Sequence, residues 1–219
     1  MGHEDVLAAS EFFTDVPLDR LRAIANTGET RRLVRNDVLF AQGDVSGELF
    51  IVLSGRVAMS TRSSDGRESV VALMEPGDLF GEMPLLDSGS RSTEARALEP
   101  SSVLAVPYGP VRALFDQQPD LLWGVVRMLS RRLRNTDEAL ADSMFLDVTG
   151  RTAKRLLELS AGVDEFILPI TQEELAGMVG ASRERVNKAI ASFIRLGWID
   201  QQDRRYRIIA RDRLELRAR

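Results

Sequence analysis

VLFAQGDVSGELFIVLSGRVAMSTRSSDGRESVVALMEPGDLFGEMPLLDSG, from Val38 to Gly89, carries glycines at 43, 55, 66, 77 and 89, an interval of 11 or 12 residues. Between them stand short β-prone runs: Val38 to Phe40, Leu49 to Leu53, Val57 to Ser60 and Ser69 to Met74. Such runs, broken by turn residues at this spacing, predict short antiparallel strands closed into a sandwich or roll. Strands near Thr93 to Ala97 and Val103 to Val106 would complete it. The first ~28 residues read as helical, with Leu18, Leu21, Ile24 and Ala25 on one face, forming a lid on the roll.

The surrounding composition excludes much chemistry. Of 219 residues, 44% are apolar and 28% charged, and no apolar run is long enough to span a membrane. The acidic start, Met1-Gly2-His3-Glu4-Asp5, lacks the apolar core of a signal peptide, and Val6 stands where a myristoylation signal needs Ser or Thr, so a cytoplasmic location is expected. There is no Cys, the one His is residue 3, and the only lysines are Lys154 and Lys188. Thiolate catalysis, zinc or iron–sulfur sites, a His-based triad and a P-loop are thereby removed. No metal site and no catalytic cofactor is expected, and carboxylate chemistry is the one enzymatic class left. Residues 1–146 hold 15 Arg against 22 acidic residues, a net −7, whereas residues 147–219 hold 14 basic against 11 acidic, a net +3. A basic C-terminal third is the asymmetry expected of a nucleic-acid binder.

After the roll, a single long helix is expected from near Pro119 to about Phe145. Leu122, Val126, Leu129, Leu133, Thr136, Leu140 and Ser143 follow a 4-3-4-3 spacing, a heptad seam. Such a seam needs a partner, and a second copy across a two-fold axis is the simplest. The alternative is packing on the chain's own roll, which Val125 and Met128 could serve. Thr136, with Asp137 beside it, interrupts the seam: a hydroxyl there either fixes register or awaits a ligand.

Phe80-Gly81-Glu82-Met83-Pro84-Leu85-Leu86, then Arg91-Ser92, reads as an anion site. Gly81 lets backbone approach a ligand, and Pro84 suits the first turn of a short helix. Arg91 offers a fork for phosphate oxygens, Ser92 a hydroxyl, and Glu82 an acceptor for a sugar hydroxyl. Singly, each is an ordinary surface residue.

The last third reads as helix, turn, helix, hairpin. Thr171-Gln172-Glu173-Glu174 is a capping box ahead of Leu175, Met178 and Val179, and Gly180 breaks that helix. Ser182 caps the next, with Val186, Ile190, Phe193 and Ile194 inward and Arg183, Glu184, Asn187 and Lys188 outward, and Gly197 stops it. Trp198 to Ile209 reads as a hairpin with Gln201 to Arg205 at its tip, making a winged helix-turn-helix. In a major groove, Arg183 and Lys188 can donate to guanine and Glu184 can accept from cytosine, while Ser182, Thr171 and Thr149 at helix starts hold phosphates. The competing reading of Glu184 and Lys188 is a solvated i,i+4 ion pair.

FGEMPLLDSGSRSTEA resembles the phosphate-binding cassette of cyclic-nucleotide-binding domains. RRLRNTDEALADSMFLDVTGR resembles the dimer helix and hinge of the CRP/FNR family of transcription regulators, and SRERVNK resembles its recognition helix. The resemblance covers about Phe12 to Ile209 and implies an α+β chain: a cyclic-nucleotide-binding β-roll (jelly roll) in 1–118, a dimerisation helix in 119–146 and a winged helix-turn-helix in 147–219. It implies Gly81, Arg91 and Ser92 on a cyclic phosphate, Glu82 on the ribose 2′-hydroxyl, and Thr136 and Asp137 facing the base. Asp137 departs from the small neutral residue usual there, which bears on cyclic AMP against cyclic GMP. The expected partners are a cyclic nucleotide, most simply cyclic AMP, double-stranded DNA with a two-fold symmetric site, a second copy of the chain, and RNA polymerase; no membrane is involved. Allostery then follows: nucleotide orders the helix to about Phe145, a hinge at Asp147 to Gly150 is set, and the recognition helices are held one DNA turn, ~34 Å, apart. The alternatives are a ligand-independent DNA-binding repressor with a vestigial effector site, and a nucleotide sensor without DNA binding.

Overall fold

The computed structural model describes residues 2–62 and 68–219. Gly66, read above as a turn glycine, lies outside the described residues. Contacts gather the described chain into two compact units, one of residues 2–61 and 71–134, the other of 62, 68–70 and 135–219. Among the described residues no helix is long and apolar enough to cross a membrane.

The first unit opens with α1 (His3–Ala9), a 3-10 turn at Glu11–Phe13 and α2 (Leu18–Ala25). The strands that follow among the described residues are β1 (Glu29–Leu33), β2 (Val38–Phe40), β3 (Glu48–Ser54), β4 (Val57–Arg62), β5 (Glu68–Met74), β6 (Leu79–Phe80), β7 (Glu94–Ala97) and β8 (Ser101–Pro107). Between β6 and β7 lies the short α3 (Met83–Asp87), and α4 (Tyr108–Gln117) follows β8. The strands make two four-stranded sheets, in the orders β1-β8-β3-β6 and β2-β7-β4-β5, which is the expected roll. Turn glycines at 43, 55 and 77 have φ of +91°, +77° and +98°, values that favour a residue without Cβ.

β3 shows why the roll is stable. Its run Leu49-Phe50-Ile51-Val52 is buried on both faces, so it is apolar throughout rather than alternating. Phe50 and Val52 face the second sheet, where Phe50 stacks between Phe40 and Phe80 at 5.7 and 5.5 Å. Leu49 and Ile51 face the helices, packing with Phe12, Phe13, Leu21, Ile24, Val111 and Phe115. The N-terminal lid is thus real, although Leu18, assigned to its inner face, is exposed. It starts the helix, one turn before the packed stripe of Leu21, Ile24 and Ala25.

A 3-10 turn at Pro119–Leu121 leads into α5 (Leu122–Phe145). Val125 and Met128 are buried in the roll's core, while Leu122, Val126, Leu129, Leu133 and Leu140 are exposed. The seam and the roll-facing stripe are therefore separate faces of one helix.

The second unit holds α6 (Val148–Leu159), β9 (Glu165–Ile167), α7 (Gln172–Val179), α8 (Arg183–Arg195), β10 (Ile199–Gln202), β11 (Arg205–Ile208) and α9 (Arg211–Arg217). Leu156, Leu175, Val186, Ile190 and Phe193 are buried, and a three-stranded sheet β10-β11-β9 flanks the helices. The hairpin tip is tighter than expected: Gln201 and Gln202 pair within it, leaving Asp203 and Arg204 to turn. Ile194, expected inward, is exposed because Ile190 and Phe193 already fill that side of α8.

Candidate functional site

The first candidate site is built by β6, α3 and the segment before β7. Gly81 follows Phe80 with φ of +77°, and a Cβ there would collide with the Arg91 guanidinium. Glu82 stands at the N-cap position of α3 without a side-chain cap bond, and Pro84 sits in the first turn, as expected. Arg91 is anchored by its own backbone, its N–H donating to the Asp44 carbonyl at 2.9 Å and its carbonyl accepting from Gly43 at 2.8 Å.

Arg91 is only 5% exposed. Its Nη1 donates to the Gly81 carbonyl at 2.7 Å and to the Tyr108 hydroxyl at 3.2 Å, and its Nη2 donates to the Glu48 carbonyl at 2.7 Å. The guanidinium carbon lies 4.0 Å from the centre of the Phe40 ring. All these partners are neutral, and the buried Nε–H has none. Burial pulls the Arg91 pKa below its ordinary value, and an arginine stays charged regardless. The site thus presents a desolvated cation with one N–H unused, a condition that an anion relieves.

Glu82 is 1% exposed, and its carboxylate meets the Arg132 guanidinium on α5 at 2.5 Å. Arg132 also donates to the Leu79 carbonyl at 2.7 Å. A buried carboxylate needs such a partner, and one cation leaves it acceptor capacity for a hydroxyl. Ser92 is exposed, and its hydroxyl makes a long 3.6 Å contact to the Met83 sulfur, a weak acceptor. Gly81, Glu82, Arg91 and Ser92 are therefore brought together. Thr136 and Asp137 lie on the exposed surface of α5, in the stretch that belongs to the second unit.

Two site residues escaped sequence reading. Tyr108, whose pKa burial raises, donates to the Gly81 carbonyl and lies 3.0 Å from the Ser46 hydroxyl. Arg132 neutralises Glu82 from 50 residues away. One signal existed for it: Arg132 precedes Thr136 by one helical turn.

The second candidate site is the start of α8. Ser182 caps it, its oxygen accepting from the Arg185 N–H, and Thr171 forms the expected capping box with Glu174 on α7. Each hydroxyl keeps its own O–H to donate to a phosphate. Thr149, Arg185, Lys188 and Ser192 line one groove beside α8, and Thr171, Gln172, Arg183, Gln201 and Arg204 line another. The expected DNA-reading residues are thus spread over two grooves, Thr171 and Arg183 in one with Arg204, and Thr149 and Lys188 in the other with Arg185, the two arginines being cations that sequence reading left unassigned. Glu184 and Lys188 are paired at 2.7 Å, so the solvated ion pair exists, and it lowers the Glu184 pKa.

Residues 30–118 match the family model of the cyclic nucleotide-binding domain, and residues 150–219 match that of the Crp-like helix-turn-helix domain. This chain belongs to the CRP/FNR family. Among CRP/FNR relatives, the CRP-like cAMP-activated global transcriptional regulator of Mycobacterium tuberculosis is 35% identical over 223 residues, covering 99% of this chain and 100% of that protein. The crystal structure of the Thermus thermophilus catabolite activator protein is 31% identical, covers 95% of this chain and 98% of its own, and superposes with a TM-score of 0.55. FixK2 from Bradyrhizobium japonicum shares the fold, with a TM-score of 0.77 over 86% of this chain and 96% of its own at 21% identity. As a CRP/FNR member the chain is a DNA-binding transcription regulator with a cyclic-nucleotide-binding domain, and not an enzyme.

Proposed function

We propose that this chain is a homodimeric transcription regulator whose DNA affinity rises when cyclic AMP binds the roll. The observation that carries the reading is the buried Arg91 guanidinium, with neutral partners and an unused Nε–H beside the backbone of Gly81. Arg91, Ser92 and the Gly81 backbone take the cyclic phosphate, Glu82 the ribose 2′-hydroxyl, and Thr136 and Asp137 the base. The choice of cyclic AMP over cyclic GMP is supported by the names of the relatives, among them the cAMP-activated regulator of M. tuberculosis. The exposed seam of α5 supports a dimer, and a dimer supports a two-fold symmetric DNA site read by Arg183, Glu184 and Lys188 with Ser182, Thr171 and Thr149 on phosphates. In this reading residues 1–118 sense, 119–146 dimerise and 147–219 read DNA, in the cytoplasm and with RNA polymerase as the further partner.

Calorimetry tests it. Cyclic AMP should bind the wild type more tightly than cyclic GMP, and Arg91→Leu should lose about 10- to 100-fold in affinity, the value of charge-assisted hydrogen bonds. Unchanged binding by a folded Arg91→Leu protein rejects the phosphate assignment. A DNA mobility assay with and without cyclic AMP separates this reading from a ligand-independent repressor.

A further inference from the structure

The junction between α5 and α6 carries a cluster of ion pairs and hydrogen bonds. Lys154 on α6 reaches back to two carboxylates one turn apart on α5, Glu138 at 2.8 Å and Asp142 at 2.6 Å. The Lys154 and Asp142 side chains are only 21% and 19% exposed, which removes much of the water screening that makes surface pairs weak. Burial works against the Lys154 charge, yet the bonds to Asp142 and Glu138 prevail and its pKa is raised. Two arginines tighten the same corner. Arg151 donates to the Leu146 carbonyl at 2.6 Å and to Val179 at 2.8 Å, and Arg217 of α9 pairs with Asp147. Asp147 also caps α6 through the Gly150 N–H at 2.8 Å. Asp147, the first residue of the expected hinge, caps α6. The clasp joins α6 to the part of α5 that groups by its contacts with the second unit, from Asn135 on, and this part carries Thr136.

We propose that Lys154 is a positioning residue that fastens the second half of α5, which carries Thr136 and Asp137, to the DNA-reading helices. Nucleotide-driven movement then enters at the middle of α5 and passes undamped through the clasp to α8. The inference rests on the function proposed above, and it assigns the coupling to one lysine, of the two in the chain, against two acidic residues.

The experiment uses the full-length protein and a two-fold symmetric duplex selected from a random pool by the wild type with cyclic AMP. Three quantities are measured: the cyclic AMP dissociation constant, and the DNA dissociation constant with and without saturating nucleotide. Lys154→Met should keep cyclic AMP affinity and nucleotide-free DNA affinity within about twofold. The nucleotide-dependent gain in DNA affinity should fall at least fivefold, the lower end of ordinary allosteric coupling. Lys154→Arg should restore most of that gain, and Glu138→Gln combined with Asp142→Asn should reproduce the loss, which decides the matter if Lys154→Met does not fold. An unchanged gain in the folded variants overturns the proposal. So does tighter DNA binding without nucleotide, since the clasp would then be a restraint rather than a transmitter. A wild type that shows no nucleotide-dependent gain rejects the proposed function itself, a distinct result.

Discussion

Arg91 is a cation held where water is nearly absent, and the roll has given it only neutral acceptors and an aromatic face. Buried charge is costly; the Glu48 and Glu82 carboxylates offset part of that cost without a direct hydrogen bond, and an incoming anion at the unused Nε–H adds to that offset. Gly81 sets the geometry. Its φ of +77° and the guanidinium pressed against its missing Cβ mean that Gly81→Ala should cost about 1–2 kcal/mol of stability in urea denaturation. It should also weaken cyclic AMP binding at least tenfold, because Arg91 must move; unchanged affinity would remove Gly81 from the site. Gly81, Glu82, Arg91 and Ser92 were legible because they fall within one short stretch of sequence. Tyr108 and Arg132 were not, since each reaches the site through the fold, from 27 and 50 residues away.

Elements that repeat a spacing or carry a cap were the readable ones. The glycine interval located β2 to β5 but not the two-residue β6, and Thr171 and Ser182 marked the starts of α7 and α8. β1, Glu-Thr-Arg-Arg-Leu, has four polar residues of five and is a strand only because it pairs with β8 from Glu29 to Leu33. β9 likewise exists through β11, and no local pattern announces either. Asp147 is the cap whose role is most exposed to test. The Gly150 N–H, followed by Arg217, holds its pKa below the ordinary carboxylate value. A depressed acid stabilises the fold above its unfolded pKa and loses that contribution as the pH falls through its folded one. Asp147→Ala should therefore cost about 1 kcal/mol at pH 7, the usual value of an N-cap. Wild type and variant should converge as denaturation is repeated below about pH 4. A constant difference across that range would show that the carboxylate charge contributes nothing to the cap.

At the scale of the molecule, an acidic sensing part and a basic reading part share one helix, and that helix leaves its apolar seam uncovered. Leu129, Leu133 and Leu140 expose 39%, 62% and 59% of their surface, whereas Val125 and Met128 on the same helix are buried. These leucines are not among the buried residues of the roll's core, and their 4-3-4-3 spacing fits a parallel copy of the same helix, as the proposed dimer requires. Leucines facing one another across the dyad tolerate no charge, because a substitution is made twice at the same place. Leu133→Glu brings two carboxylates together in an apolar seam, where repulsion and desolvation add. Sedimentation should show the wild type as a dimer and Leu133→Glu as a monomer at the same concentration. The residues proposed to take the phosphate lie in the roll of each single chain, so cyclic AMP binding should persist, weakened at most. DNA affinity should drop by far more, since one recognition unit alone loses the second half-site. A wild type that sediments as a monomer, or a Leu133→Glu protein that still pairs, would leave the seam without its partner and end the two-fold account of DNA reading.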